Sequence, residues 1–211
     1  MRVIAIDGPA GAGKSTIAKA LAARLGLEYL DTGAMYRAVT FAALHHGIDL
    51  DDEVAVALLA QRVPLTVDDS GVVVDGLDAT TAIRGPEVTA AVSKVAANSG
   101  VRTEMRLRQQ QWAAERGGGV IEGRDIGSVV FPDAELKLYL TASPRERALR
   151  RVAQSGGDVD EIEAAIARRD HLDSTRADSP LTEATGSTVV DTTGRTISDV
   201  LDHIVNLLEA R

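Results

Sequence analysis

Short apolar runs rich in β-branched residues recur at residues 3–6, 27–30, 120–121, 136–140 and 188–190. Between them apolar positions fall three and four apart, which predicts helices over 14–25, 34–46, 86–97, 101–116, 144–154, 159–171 and 197–210. Pro86 and Pro144 sit at first-turn positions of two of these. Continuous apolar strands alternating with helices predict an α/β fold, a parallel sheet buried on both faces. One segment breaks the alternation. The runs 65–67 and 72–74 flank Asp68-Asp69-Ser70-Gly71 and read as a small antiparallel hairpin. With helix-like stretches at 53–61 and 78–83 on either side, residues 38–95 are expected to form an insert mounted on the core. A second interruption at 154–160, containing Ser155-Gly156-Gly157, suits a mobile connection between two arginine-bearing helices, a lid over 147–172.

The chain has 211 residues, 45% of them apolar, enough for one large domain, residues 1–211, with a substantial core. No run reaches the length of a membrane span, and the first residues lack the order of a secretory signal, so a cytoplasmic protein without a membrane partner is expected. The absence of cysteine rules out disulfides, thiolate metal sites and a cysteine nucleophile. A net charge of −8 argues against binding along a nucleic-acid backbone and for a small ligand. The arginines are nonetheless clustered, at Arg145, Arg147, Arg150, Arg151, Arg168, Arg169 and Arg176 with no lysine among them. The guanidinium fork pairs bidentately with phosphate, so the cluster suits a local polyphosphate site; the alternative is a solvated helix face with ion pairs four residues apart.

The segment Gly8-Pro9-Ala10-Gly11-Ala12-Gly13-Lys14-Ser15 fits G-x-x-x-x-G-K-[ST], between an apolar strand and a helix, as that pattern requires. Glycines let the backbone curl with its N–H groups inward at a helix N-terminus, forming an anion site. Lys14 reaches the outer phosphates, and Ser15 offers its hydroxyl to Mg²⁺.

Behind the second strand comes Asp31-Thr32-Gly33-Ala34-Met35-Tyr36-Arg37, where open α/β sheets place ligands. Either Asp31 or Thr32 can cap the following helix, while Arg37, a second basic group beside a phosphate loop, is a candidate ligand residue. A third group, Glu122-Gly123-Arg124-Asp125-Ile126-Gly127, follows the strand at 120–121. There the acidic group can orient Mg²⁺ waters and Arg124 can hold a phosphate; the alternative is a turn in which Arg124 and Asp125 satisfy each other. Adjacent His45 and His46 read as surface residues and Trp112 as packing. Tyr36 and Phe131 suit the core, with stacking on a base as the other reading.

These segments, with the strings DTGAMYR, IRGPEV, VIEGRDIGSVVFPDA and RRDHLDSTRADSPL in that order, make the chain resemble the bacterial cytidylate kinases over nearly its full length. The resemblance implies a P-loop kinase with a five-stranded parallel sheet flanked by helices, a nucleoside monophosphate-binding insert and a lid. It implies transfer of the γ-phosphoryl group of ATP to CMP or dCMP by a monomer. It assigns Gly8, Pro9, Ala10, Gly11, Ala12, Gly13, Lys14, Ser15 and Thr16 to ATP, with Mg²⁺ on Ser15. Arg37 and Arg124 would grip the acceptor phosphate, with Thr32 and Tyr36 nearby. Ser93, Arg102 and Asp125 would face cytosine, Arg169 and Asp173 the ribose, and Arg176 the phosphates. Lys14, Arg124, Asp125 and a lid arginine (Arg147, Arg150 or Arg151, with Arg150 singled out) would serve the transfer itself. Two departures stand out: Thr32 replaces the serine of some relatives, and His171 and Leu172 occupy positions that can be more charged. A kinase of UMP, AMP or a non-nucleotide alcohol is the nearest alternative. A GTP-dependent switch is the other, although N-K-x-D, the guanine-reading motif, occurs nowhere.

Overall fold

A computed structural model describes residues 1–68 and 70–210; Asp69, in the expected hairpin turn, lies outside the described residues. Strands β1 (Arg2–Asp7), β2 (Tyr29–Asp31), β6 (Gly118–Glu122), β7 (Leu136–Thr141) and β8 (Thr188–Asp191) form one sheet in the order β2-β6-β1-β7-β8. Every pairing in it is parallel. Helices α1 (Lys14–Leu25) and α8 (Ile197–Glu209) cover one face; α2 (Thr32–His45), α3 (Glu53–Arg62), α4 (Pro86–Ala97) and α5 (Ser99–Arg116) lie on the other. Side-chain alternation along β1 divides the core accordingly: Val3 and Ala5 join Leu30, Met105 and Phe131, while Ile4 and Ile6 join Leu21, Leu138 and Ile204. The central strands β1 and β6 are buried on both faces, as their continuous apolar sequences require, whereas the edge strand β8 leaves Val189 exposed.

The insert differs from the expected single hairpin. Strands β3 (Leu65–Asp68) and β4 (Gly71–Val74) pair as predicted, but a third strand, β5 (Leu77–Asp78), extends them. The turn between β4 and β5 is Asp75-Gly76, both at positive φ (52° and 79°), and Asp-Gly is a strong hairpin signal. The helix-like reading of 78–83 reduces to one 3₁₀ turn, Ala82–Arg84. Val72, Val74 and Ile83 pack on Ala34, Ala38 and Ala42 of α2, which fixes the insert to the sheet.

β2 also begins later than expected. Gly26 ends α1 in the left-handed conformation, and the Leu27 amide donates back to Ala22 at 2.9 Å, so Leu27 belongs to the helix stop, while the Glu28 carbonyl accepts from Val120 of β6 at 2.8 Å. Helices α6 (Pro144–Ser155) and α7 (Val159–Thr175) form an antiparallel pair joined by a short loop; α7 runs past the predicted 171. The extra turn carries Asp173 inward, and His171 and Leu172 are exposed, so that departure from the family pattern lies on an outer face, whereas Thr32 is buried.

Candidate active site

Sheet order reverses direction at β1, whose neighbours β6 and β7 both come later in the chain, and the C-terminal ends of β1, β2 and β6 open onto one cleft of about 950 Å³. Its floor is the loop leading into α1. Gly8 has φ 142°, and a Cβ there would lie 2.0 Å from the Leu140 carbonyl oxygen, so only glycine fits between β1 and β7. Residues 10–16 line the cleft, with Ser15 and Thr16 exposed at the helix start, whereas Gly8 and Pro9 lie behind it. The Lys14 ammonium, 7% exposed, donates to the Pro9 carbonyl at 2.8 Å. Burial, and then the nearby Arg124 guanidinium, push its pKa down to about 7.

Ala10 is held from outside the cleft. Its amide donates to Asp170 Oδ1 at 3.0 Å, and its carbonyl accepts from Arg147 Nη1 at 3.0 Å, while Arg147 also pairs with Asp170 Oδ2. Of the expected lid arginines, Arg147 is thereby an anchor beneath the loop rather than a group facing the cleft. Arg150 lines the cleft but binds the hydroxyl and carbonyl of Thr192 at 2.9 and 2.8 Å, on the β8 side. Arg151 is the lid arginine that acts electrostatically on Arg37 and Arg169. Arg145 pairs outside with Asp160 and Glu163, and Arg168 is exposed, so the seven-arginine run divides into a site group and a solvated face.

At the β2 and β6 side, Arg37 Nη1 donates to the Ile83 carbonyl and to Thr89 Oγ1, both at 2.9 Å. Burial, then repulsion from Arg169, Arg84 and Arg151, push its pKa down to about 10. Arg169 is also pushed down to about 10, by burial and then by Arg124, and its Nε is buried without a hydrogen-bond partner. Burial works against the charge of Arg124 too, but Asp173, joined by Asp170 and Glu122, outweighs it and the pKa rises: Nε donates to Asp173 Oδ2 at 2.9 Å and Nη1 to the Gly8 carbonyl at 3.0 Å. Arg124 and Asp125 therefore do not satisfy each other, as the alternative turn reading had it.

Asp125 instead sits between two guanidiniums, paired with Arg102 Nη2 and 3.7 Å from Arg176 Nη2. Arg102, 2% exposed, also donates to the Ala96 carbonyl at 3.1 Å, has an Nε without a hydrogen bond that lies 3.6 Å from Asp178 Oδ1, and sits 5.4 Å from the Tyr36 ring centre. Tyr36 packs on the core and also lines the cleft, with its phenol pushed up to about 12, mostly by burial. Ser93 lines the same end. Arg176 Nε donates to the Ser179 carbonyl at 2.8 Å, which anchors it from α7's end. Thr32 lines the cleft, but its hydroxyl donates to the Glu122 carbonyl at 2.6 Å, tying β2 to β6; the helix cap is Asp31, which accepts from Ala34 at 2.9 Å.

Sequence reasoning noted Glu122 and missed its neighbours. Its carboxylate is buried, accepts from the Tyr29 hydroxyl and lies within hydrogen-bonding reach of Ser15; burial, then Asp31, push its pKa up. No group of three or more His, Cys, Asp or Glu side chains that could hold a metal by itself occurs among the described residues. A hydroxyl with one carboxylate alongside fits Mg²⁺, which takes few protein ligands and fills its octahedron with water and phosphate oxygens. Asp7 and Asp170 were also missed. The only signal for either was position: Asp7 ends an apolar strand just before the loop, and Asp170 adjoins Arg169. The bland readings hold, with His45 and His46 exposed and Trp112 and Phe131 packed in the core.

The sequence profile described as cytidylate kinase matches residues 4–210. The chain belongs to the cytidylate kinase family. It is 50% identical over 218 residues to a cytidylate kinase of Mycolicibacterium paratuberculosis, covering 99% of this chain and 96% of that protein. It is 48% identical over 220 residues to a bifunctional pantoate ligase/cytidylate kinase of Prochlorococcus marinus, 99% of this chain but 43% of that protein, so it spans less than half of such relatives. Among solved structures it resembles shikimate kinase from Bacteroides thetaiotaomicron, with TM-score 0.51, 14% identity and 99% and 98% of the two chains covered. That likeness concerns the fold alone. No helix among the described residues is long and apolar enough to cross a membrane.

Proposed function

We propose that this chain transfers the γ-phosphoryl group of ATP to CMP or dCMP, giving ADP and CDP or dCDP. The observation that carries this reading is the buried cluster of Lys14, Arg37 and Arg169, each pushed down by burial and by neighbouring guanidiniums, beside an Arg124 that Asp173 keeps charged, with the Arg169 Nε lacking a hydrogen-bond partner. A cluster of cations short of counter-charge stores an unmet demand, and two phosphate groups meet it. The cytidylate kinase names of the relatives fit the other end of the cleft. Asp125 can accept from the cytosine amino group and Arg102 can donate to the ring acceptors, whereas uracil sets a carbonyl against Asp125.

Phosphoryl transfer needs positioning and charge neutralisation more than covalent help. Lys14 exchanges the Pro9 carbonyl for a phosphate oxygen. Arg37 and Arg124 hold the acceptor phosphate in line, with Asp173 near the ribose and Arg176 towards the phosphates. Arg150 stays at the donor end beside Thr192, and Arg151 is the lid arginine that closes on the migrating group. The Ser15 hydroxyl, with the Glu122 carboxylate alongside, would hold Mg²⁺, which would supply charge neutralisation at the donor phosphates. Residues 38–95 act as the acceptor-binding insert and 147–172 as the lid, which excludes water as it closes. In the same reading the chain works as a cytoplasmic monomer on small nucleotides, with no nucleic-acid or membrane partner, in keeping with its net charge of −8.

A coupled assay with ATP against CMP, dCMP, UMP, AMP and GMP, and without acceptor, tests this. ADP release is expected with CMP and dCMP well above the rest. Equal ADP release with and without an acceptor defeats the reading.

A further inference from the structure

Arg124 and Asp125, the two residues that bind acceptor in the reading above, lie on an irregular segment between β6 and β7. What holds that segment is not its own sequence. It is followed by one π-helical turn, Ile126–Val130, in which Phe131 N–H donates to the Ile126 carbonyl at 2.7 Å. The N–H groups at the start of such a turn have no partner within it. Asp7, the last residue of β1, supplies both: Oδ1 accepts from Ile126 N–H at 2.8 Å and Oδ2 from Gly127 N–H at 2.7 Å. Asp7 is 3% exposed and does not line the cleft.

We propose that Asp7 is a positioning residue for the acceptor clamps, its carboxylate fixing the backbone immediately behind Arg124 and Asp125 so that both side chains meet the acceptor at once. The geometry has three parts. A carboxylate accepting two adjacent N–H groups fixes a peptide plane in position and orientation, which a single hydrogen bond does not. Asp7 also adjoins Gly8, whose carbonyl receives Arg124 Nη1 at 3.0 Å, so backbone and side chain of the clamp segment are both referred to the end of β1. Last, such a role explains a buried carboxylate that touches no ligand. Burial pushes Asp7 up to about 6, more than the two amides pull it down, so the fold keeps it at a cost to stability. An apolar residue here would leave both N–H groups buried and unpaired, and the segment without its fixed point.

The inference rests on the proposed acceptor site, and Asp7→Asn tests it. The amide offers one acceptor oxygen and sets its NH₂ group against one of the two N–H donors, at nearly unchanged volume. The expected result is a rise of about tenfold in KM for CMP, ATP KM within about twofold, and a melting temperature unchanged or raised. Unchanged KM for both substrates, or equal loss for both, overturns the proposal. A wild-type enzyme that ignores CMP signals instead that the acceptor reading has failed.

A second measurement needs no variant and no substrate. In wild-type protein the amide resonances of Ile126 and Gly127 are expected to titrate together with a midpoint near 6. The titratable groups facing Asp7 are Lys14 of α1, Asp125 of the clamp segment and Tyr139 of β7, so the same titration in Asp7→Asn must lose that midpoint. Amides that show no such midpoint, or keep it in the variant, overturn the proposal.

Discussion

Arg124 Nε donates to Asp173 Oδ2 at 2.9 Å, joining the segment after β6 to the last turn of α7. Asp173 is the counter-charge that lets Arg124 stay ionised where burial disfavours it, and Arg124, Arg169 and Arg176 together hold the Asp173 carboxyl below the usual carboxylate range despite burial. Removing one partner of a buried pair leaves the other uncompensated, at roughly 3–5 kcal/mol. Asp173→Ala is therefore expected to lower unfolding stability by about that amount in the absence of nucleotide. Saturating CMP should restore part of it, because the acceptor phosphate replaces the missing negative charge; urea titrations with and without CMP measure both effects.

Lys14→Ala should abolish transfer, with kcat falling by at least about 10³-fold, as expected for loss of a charge aimed at the migrating group. The wild type offers a second measurement. With its pKa at about 7 in the empty site, Lys14 is largely neutral at pH 8 and regains its proton when phosphates arrive. ATP binding at pH 8 should take up close to one proton and at pH 6 almost none, which calorimetry in buffers of differing ionisation enthalpy detects.

Arg37, which faces the acceptor in the proposed reading, is anchored on Ile83 and Thr89. Arg37→Ala should raise KM for CMP by about 10- to 100-fold, the worth of one charge-assisted contact, while the dissociation constant for ATP changes little. Equal damage to both would mark misfolding.

Arg102→Ala should act on base choice. It removes a cation paired with Asp125 and stacked near Tyr36, so KM for CMP should rise and the CMP-to-UMP preference should fall by about tenfold or more. A substrate panel reads this directly, and unchanged CMP kinetics would contradict the assignment of Arg102 to cytosine.

Stability against pH should show the cost of Asp7. Its pKa is about 6 in the fold and 3.8 in the reference state, so the folded protein binds the proton more tightly. That contribution is complete below 3.8 and lost as pH rises through about 6. The shift of about 2 units corresponds to about 3 kcal/mol. Relative to Asp7→Asn, wild type should lose stability by that order between pH 4 and 7, in chemical denaturation at a series of pH values.

Elements whose identity is set locally were legible in sequence. The buried strands, the phosphate loop and the helices begun by Pro86 and Pro144 carry their own signals, and α4 runs over the predicted residues. The strand at 27–30 was misplaced because a helix stop that borrows Leu27 looks the same as an apolar strand. Strand β5 was missed because two residues carry no periodicity, although Asp75-Gly76 marked the turn. In the site, residues within motifs were found and brought together, while their supports were not. Asp7 and Asp170 act on backbone amides more than a hundred residues away, a relationship that exists only after folding. Arg147 misled for the opposite reason, since an arginine beneath the phosphate loop has the same sequence as one above it.

In the proposed reading, the clasp of Ala10 by Arg147 and Asp170 sets how far the lid swings. Both helices are pinned at their roots, so opening and closing belong to what projects beyond. In α6, where Arg150 is also tied to Thr192, that is the stretch from Arg150 to Ser155, a lever of about 8 Å at 1.5 Å per residue, ending before Gly156-Gly157. A short arm fixed to the loop that cradles the donor cannot drift independently of it, and the gate and the cradle travel as one piece.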